Sequence, residues 1–198
     1  MSNKLIGIGN QKMGPNVATF SLPPVKTCRP SKWCLKGKAG KPRCYALRGR
    51  LTWPNVVASF ERRYEASKQS DFETRMIAEI KKSGVRYFRI HVSGDFYSEP
   101  YVNKWFRIAR ACPEVLFRTT TRSVDLVGAL YRLNGLPNVS IRESIDPSIP
   151  RPRTRLRVAS AGVKVDKRRK HIMCPDNCEV CGHRCWEEMD KDEIFEEF

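Results

Sequence analysis

Two hydrophobic rhythms take turns along the middle of this chain. Apolar residues alternate with polar ones over Val17 to Leu22 (VATFSL), Val85 to Val92 (VRYFRIHV), Val115 to Thr119 (VLFRT) and Val139 to Arg142 (VSIR). That period of two predicts strands. Helical spacing governs the stretches between them. Val56, Phe60, Tyr64 and Ser67 mark one face over 55–68, and Phe72, Met76, Ile77 and Ile80 mark one over 71–83, opened by Ser70 and Asp71. Val102, Trp105, Phe106 and Ile108 do the same over 99–111, and a further helix is expected over 124–133. Strand, helix, strand, helix, strand reads as parallel β-α units, so the fold class is α/β. Residues 1–14 predict a short strand and turn around Ile6 and Ile8. Residues 156–165 predict a last strand, broken at Gly162.

The strand ends are unusually polar: Ser93-Gly94-Asp95, then Thr120-Thr121-Arg122-Ser123, then Glu143-Ser144-Ile145-Asp146. In parallel α/β folds ligands gather at the carboxyl ends of strands. Asp95 and Asp146 stand at equivalent places after two strands, which suits a nucleophile or a general acid/base. Arg122 suits the fixing of a phosphate or an oxyanion. The plainer reading makes these residues helix caps, as expected for Ser98 and Ser123. His91 is expected as a core or pocket-lining histidine and Cys112 as a core residue.

Charge changes the picture. The chain of 198 residues carries a formal +16, with 40% hydrophobic residues, enough for a core in one domain. The last stretch, 186–198, holds seven acids and one base; the remaining body has 36 basic and 14 acidic residues, a formal +22. A body so basic attracts polyanions, most simply DNA or RNA. Arg29, Lys32, Lys36, Lys38, Lys41, Arg43 and Arg48 crowd one loop, and Arg151, Arg153, Arg155, Lys167, Arg168, Arg169 and Lys170 a later region. Both sets are candidate phosphate contacts. The acidic tail reads as a short amphipathic helix, either folded back on the basic body or left solvated. Chain 1–198 is thus expected as a single α/β domain with a Cys/basic loop at 27–50, a Cys-rich segment at 166–185 and an acidic tail at 186–198. No run is long and apolar enough to span a membrane and no leader pattern opens the chain, so a cytoplasmic location is expected.

Seven of the eight cysteines cluster. Cys28, Cys34 and Cys44 lie in the basic loop; Cys174, Cys178, Cys181 and Cys185 follow C-x3-C-x2-C-x3-C. Among reducing thiols such clusters point to metal. Only two residues separate Cys178 from Cys181, whereas zinc sites usually separate two cysteine pairs by a long spacer. The crowding is closer to iron–sulfur runs, which favours a [4Fe-4S] cluster, with zinc as the alternative. The two groups are expected to meet near Asp95. His171 and His183 are expected as surface histidines.

GNQKM near the start, FSLP before Thr27-Cys28, the Cys44-Tyr45-Ala46 triplet, HVSGDFYS with a Lys-Trp helix after it, the TTTRS and SID strand ends and the cysteine-rich close together resemble the phage and plasmid "gene product 88" family. The resemblance spans nearly the whole chain. It implies a phage or mobile-element origin, a partial or distorted (β/α) barrel and a metal cluster. More distantly the chain resembles radical S-adenosylmethionine enzymes and the DNA transglycosylases that insert 7-deazaguanines. Its Cys28, Cys34 and Cys44 are spread more widely than the C-x3-C-x2-C of the radical enzymes.

The function expected from these features is a metal-cluster enzyme that modifies a nucleic-acid base, with Asp95, Asp146 and Arg122 at the strand ends. Phe96, Tyr97, Trp53 and Tyr45 are candidates to stack on a base drawn out of its helix. The alternatives are a metal-stapled DNA- or RNA-binding protein without catalysis, and a small-molecule enzyme using the cluster as a Lewis acid.

Overall fold

A computed structural model of the chain describes residues 4–10, 12–163 and 168–195, with the side chain of Lys38 left out. Lys167 and the end of the strand expected over 156–165 lie outside the described residues.

One sheet organises the molecule. Among the described residues its eight strands are β1 (Gly7–Ile8), β2 (Val17–Phe20), β3 (Tyr87–Ile90), β4 (Leu116–Thr121), β5 (Val139–Ile145), β6 (Arg157–Ala161), β7 (His171–Met173) and β8 (Asp192–Phe195). They lie in the order β1-β2-β3-β4-β5-β6-β8-β7. β1 pairs antiparallel with β2, and every other pairing is parallel. Among the described residues the edges β1 and β7 do not pair with each other, so the sheet is open.

The six α-helices of the described residues are α1 (Lys32–Leu35), α2 (Pro54–Lys68), α3 (Phe72–Ser83), α4 (Glu99–Ala111), α5 (Val127–Asn134) and α6 (Arg184–Glu187). Alternation along the strands separates two faces. Phe88, Ile90, Phe117, Val139 and Ile141 join Phe72, Met76, Ile80, Val102, Trp105, Leu130 and Leu133 from α3, α4 and α5 in the main core, with Cys112 fully buried beside them. The opposite parity places Tyr87, Leu116, Arg118 and Arg142 on the other face. There Met13, Val17 and Trp186 form a smaller cluster that packs against Cys178 and Cys185. The C-terminal segment therefore covers the face that the helices leave open.

Several expectations need correction. Among its described residues the acidic tail is not one amphipathic helix: after the end of α6 at Glu187, its DEIF run, Asp192–Phe195, is strand β8, inserted between β6 and β7. His183 is not on the surface. It is 8% exposed, stacks on Tyr87 with ring centroids 4.3 Å apart and approaches Met13 O at 3.4 Å. Ser98 caps α4 by accepting from the Tyr101 amide, whereas Ser123 donates to Phe96 O at 2.6 Å instead of capping.

Candidate functional site

The long connection from β2 to β3 carries the first three cysteines, and the strand ends hold it down. Ser31 is the pivot: its Oγ accepts from the Cys34 amide at 3.1 Å, capping α1, and donates to Asp146 Oδ2 at 2.6 Å. The Trp33 amide donates to Ser148 Oγ at 2.8 Å. Arg29 reaches the ends of β3 and β4, donating to Phe96 O and Ser123 Oγ at 3.1 Å each and to Asp125 at 2.6 Å. Cys34 and Cys44 are tied by a backbone bond of 3.0 Å.

Beneath this loop lies a cavity of about 160 Å³, with Cys28, Cys34, Cys44, Tyr45, His91, Ser93, Asp95, Thr120, Thr121, Arg122 and Ser144 in its wall. It sits past the carboxyl ends of β3, β4 and β5. Two buried polar atoms in that wall, His91 Nδ1 and Ser93 Oγ, have no hydrogen-bond partner among the described residues. Unpaired buried polar groups are rare and ask for a reason. His91 holds a left-handed backbone (φ 61°) and its Nε2 lies 2.9 Å from Tyr101 Oη, so the ring is fixed with Nδ1 left over. Burial pushes its pKa down to about 3, so the imidazole is neutral. Gly94 (φ 80°) cannot be replaced cheaply, because a Cβ there would lie 2.6 Å from Leu22 Cβ and Thr27 Oγ1.

Asp95, Arg122 and Asp146 form one network. Asp95 is 3% exposed and accepts from Thr121 Oγ1 at 2.8 Å, the Arg122 amide at 2.7 Å and the Phe96 amide at 2.7 Å. Burial nevertheless raises its pKa to about 6, against those three donors. Arg122 Nη1 bonds Asp146 Oδ2 at 2.7 Å. Asp146 is fully buried and also accepts from Ser31 Oγ and the Ser148 amide, so its oxygens are committed to holding the loop. Asp95 faces the cavity; Asp146 stands behind it.

The three thiols share this wall and are electrostatic neighbours of one another: Cys28 senses Asp95, Cys44 and Cys34, and Cys44 senses Cys34 and Arg122. Burial lifts Cys28 to about 11 and raises Cys44. Backbone amides oppose it; the Val25 amide donates to Cys28 Sγ at 3.0 Å. Soft donors backed by amide hydrogens suit a thiolate-bound metal. As they stand, no three His, Cys, Asp or Glu side chains among the described residues are arranged to hold an ion.

The second cysteine group does not line this cavity, so the two groups do not meet around Asp95. Cys174 donates its amide to Ile194 O at 2.9 Å and Cys178 donates to Lys12 O at 2.7 Å. Cys185 O accepts from Arg142 at 3.0 Å. Tyr45 donates its hydroxyl to Val92 O and is within electrostatic reach of Cys44, Cys34, Arg118 and Lys12.

The expected phosphate contacts divide. Lys32, Lys36, Lys41, Arg48, Arg151, Arg155 and Lys170 are exposed. Arg43 lies with its guanidinium 5.0 Å from the Trp33 ring centre. Arg29 is engaged with the strand ends as above, Arg153 bonds Glu143 at 3.3 Å, and Arg169 bonds Asp192 at 2.6 Å. Arg168 is exposed. Of the candidate stacking rings, Tyr45 and Trp53 are exposed, whereas Phe96 is fully buried and Tyr97 is stacked on Tyr101 at 4.4 Å. Sequence reasoning missed the role of Ser31 and the unpaired atoms of His91 and Ser93, although it expected His91 as a core or pocket-lining residue and His91 does line the cavity. A serine three residues before Cys34, at the head of a short helix, was the available signal for the first.

Comparison with known proteins gives the family. The "Gene product 88" family matches residues 2–193. The chain belongs to the gene product 88 family. Two phage relatives, each named "Gene 88 protein", are similar to it over 156 residues: that of Mycobacterium phage L5 is 29% identical and that of Mycobacterium phage D29 is 30% identical. Each match covers 73% of this chain and 60% of the relative, so the chain spans a little over half the length of these phage proteins. No solved structure matches. No helix among the described residues is long and apolar enough to cross a membrane.

Proposed function

We propose that this member of the gene product 88 family is a metal-cluster enzyme that modifies nucleic acid at the cavity under the cysteine loop. One observation carries the reading: Cys28, Cys34 and Cys44 line the same wall as Asp95, Arg122, His91 and Ser93, past the carboxyl ends of parallel strands. A barrel-derived architecture, left incomplete at its edges, accords with that placement. Three thiols suit an iron–sulfur cluster with one iron left open, which when bound supplies Lewis-acid or electron-transfer chemistry. The chain's own residues do the rest. Asp95, with a pKa of about 6, exchanges a proton near neutrality. Arg122 and Asp146 set its position and that of the loop. His91 Nδ1 and Ser93 Oγ supply the hydrogen bonds that a polar ligand needs. Exposed Lys32, Lys36, Lys41 and Arg48 attract phosphates, Tyr45 offers a ring face in the cavity wall and Trp53 is an exposed ring elsewhere on the surface.

A second reading has support of its own. The complete engagement of Asp146 with Ser31, Arg122 and Ser148 is what a staple needs, and it fits a metal-stapled DNA- or RNA-binding protein without catalysis. An anaerobic preparation separates the possibilities. Iron, acid-labile sulfide and a broad absorbance near 400 nm, about where sulfide-to-iron charge transfer falls, are expected and are lost on Cys34→Ser. Zinc without sulfide at these thiols removes the cluster. Nucleic acid bound equally by wild type and Asp95→Asn, with no chemical change in either, leaves only the staple.

A further inference from the structure

Beneath the C-terminal cysteines, two buried guanidiniums share one carboxylate. Arg118, Arg142 and Glu193 are each 1% exposed or less. Arg118 Nε bonds Glu193 Oε1 at 2.6 Å and Arg142 Nη1 lies 3.0 Å from the same oxygen. Arg142 directs its other donors to neutral oxygens: Lys191 O at 2.9 Å, Ser140 Oγ at 2.7 Å, Cys185 O at 3.0 Å and Glu188 O at 3.2 Å. The nearby Asp192 carboxylate is held by Arg169 at 2.6 Å. The buried trio thus carries one positive charge too many, and an uncompensated buried charge is strongly unfavourable. Arg118 packs against the Trp186 and Phe195 rings, with Cys185 and Cys174 within electrostatic reach, and Cys178 senses Arg118 as well as Cys181 and Cys174. Four neutral thiols do not balance a cation. Four thiolates around one Zn2+ carry two negative charges, of which the trio's excess positive charge offsets one.

We propose that Cys174, Cys178, Cys181 and Cys185 form a second, closed metal centre of the zinc type, separate from the cavity thiols, with Arg118 and Arg142 as its buried counter-ions. The fold relieves the crowding that the spacing suggests. The backbone turns left-handed at Asp176 (φ 62°), Gly182 (φ 62°) and His183 (φ 58°). Cys174 therefore follows β7, Cys178 and Cys181 sit on a turn whose amides at Glu179 and Val180 bond Asn177 Oδ1 at 3.0 and 3.1 Å, and Cys185 comes from α6. Three different pieces of backbone thus carry the four cysteines. The centre binds the last strands to the sheet and takes no part in the cavity's reaction, so it stands or falls apart from the function proposed above.

The test is Co2+ uptake by the full-length Cys28→Ser/Cys34→Ser/Cys44→Ser protein, reduced and metal-free. One Co2+ per chain with the spectrum of a tetrahedral four-thiolate site is expected, displaced by Zn2+ and lost in a further Cys178→Ser change. Arg118→Met is expected to weaken Zn2+ binding about 10- to 100-fold, as loss of a supporting partner does. Should a variant fail to fold, alkylation of the wild-type chain with and without Zn2+ gives the same information: the four C-terminal cysteines become protected together. The proposal is overturned by no Co2+ site in the triple variant, by a site that survives Cys178→Ser, by unchanged affinity in Arg118→Met, or by acid-labile sulfide that follows the C-terminal thiols.

Discussion

Asp95 is a carboxylate with three hydrogen-bond donors and still an elevated pKa, because burial outweighs them. The consequence for stability has a definite sign. Below the ordinary value of 3.8 both folded and unfolded chains hold the proton and the group is neutral to stability. As pH rises, the unfolded chain ionises first, so stability falls until about pH 6 and the full cost persists above it. That cost is about 3 kcal/mol, at roughly 1.36 kcal/mol per pKa unit. Asp95→Asn should remove this part of the slope, read as the melting temperature from about pH 4 to 7, the window that linkage sets; an unchanged slope would show that Asp95 ionises normally. Next to it, Gly94→Ala forces a left-handed alanine against Leu22 and Thr27. It should cost about 1–3 kcal/mol by strain and overpacking, measured by urea unfolding, and a neutral result would mean the turn relaxes easily. Asp95, Arg122 and Asp146 were legible in the sequence because polar residues recur at strand ends. His91 was expected as a core or pocket-lining histidine and lines the cavity, but the unpaired His91 Nδ1 and Ser93 Oγ were not legible, since nothing in a sequence tells which buried polar atom is left without a partner.

Elements show the same division. The α3 and α4 faces and the strands β2 to β5 follow from period alone, because each buries one apolar stripe on the helical side. The tail did not, since β8 is the four-residue run DEIF and its Glu193 is buried by pairing with Arg118 and Arg142 rather than by being apolar. Burial lifts Glu193, but the two guanidiniums outweigh it and hold its pKa below the ordinary range. Glu193→Gln strands two buried cations and should cost about 3–5 kcal/mol, seen as a large drop in the urea midpoint. A change under about 1 kcal/mol, the level of a surface ion pair, would contradict the burial of this trio. Ser31→Ala removes both a helix cap and the tie to Asp146. It should cost about 1–2 kcal/mol and raise the alkylation rate of Cys34, whereas unchanged Cys34 reactivity would show that the loop is held elsewhere.

Charge is distributed so that the acids near the C-terminus are matched locally. Asp192 and Glu193 pair with Arg169, Arg118 and Arg142, and Glu187 with Arg86. The exposed lysines of the cysteine loop thus keep their field, beside a cavity holding three thiols and an acid of pKa about 6. Replacing Lys32, Lys36 and Lys41 by Gln should weaken DNA binding and lower the magnitude of its salt slope by about 2–3, at roughly 0.9 per phosphate contact; an unaltered slope would move the interface to another surface. The central claim is that this cavity performs chemistry on nucleic acid. The most direct measurement is mass analysis of nucleosides released from DNA and from RNA after anaerobic incubation with the full-length protein, wild type beside Cys34→Ser and Asp95→Asn. A nucleoside of altered mass made by the wild type and by neither variant is the predicted result. Nucleosides unchanged by the wild-type protein, with its metal in place and nucleic acid bound, would contradict it.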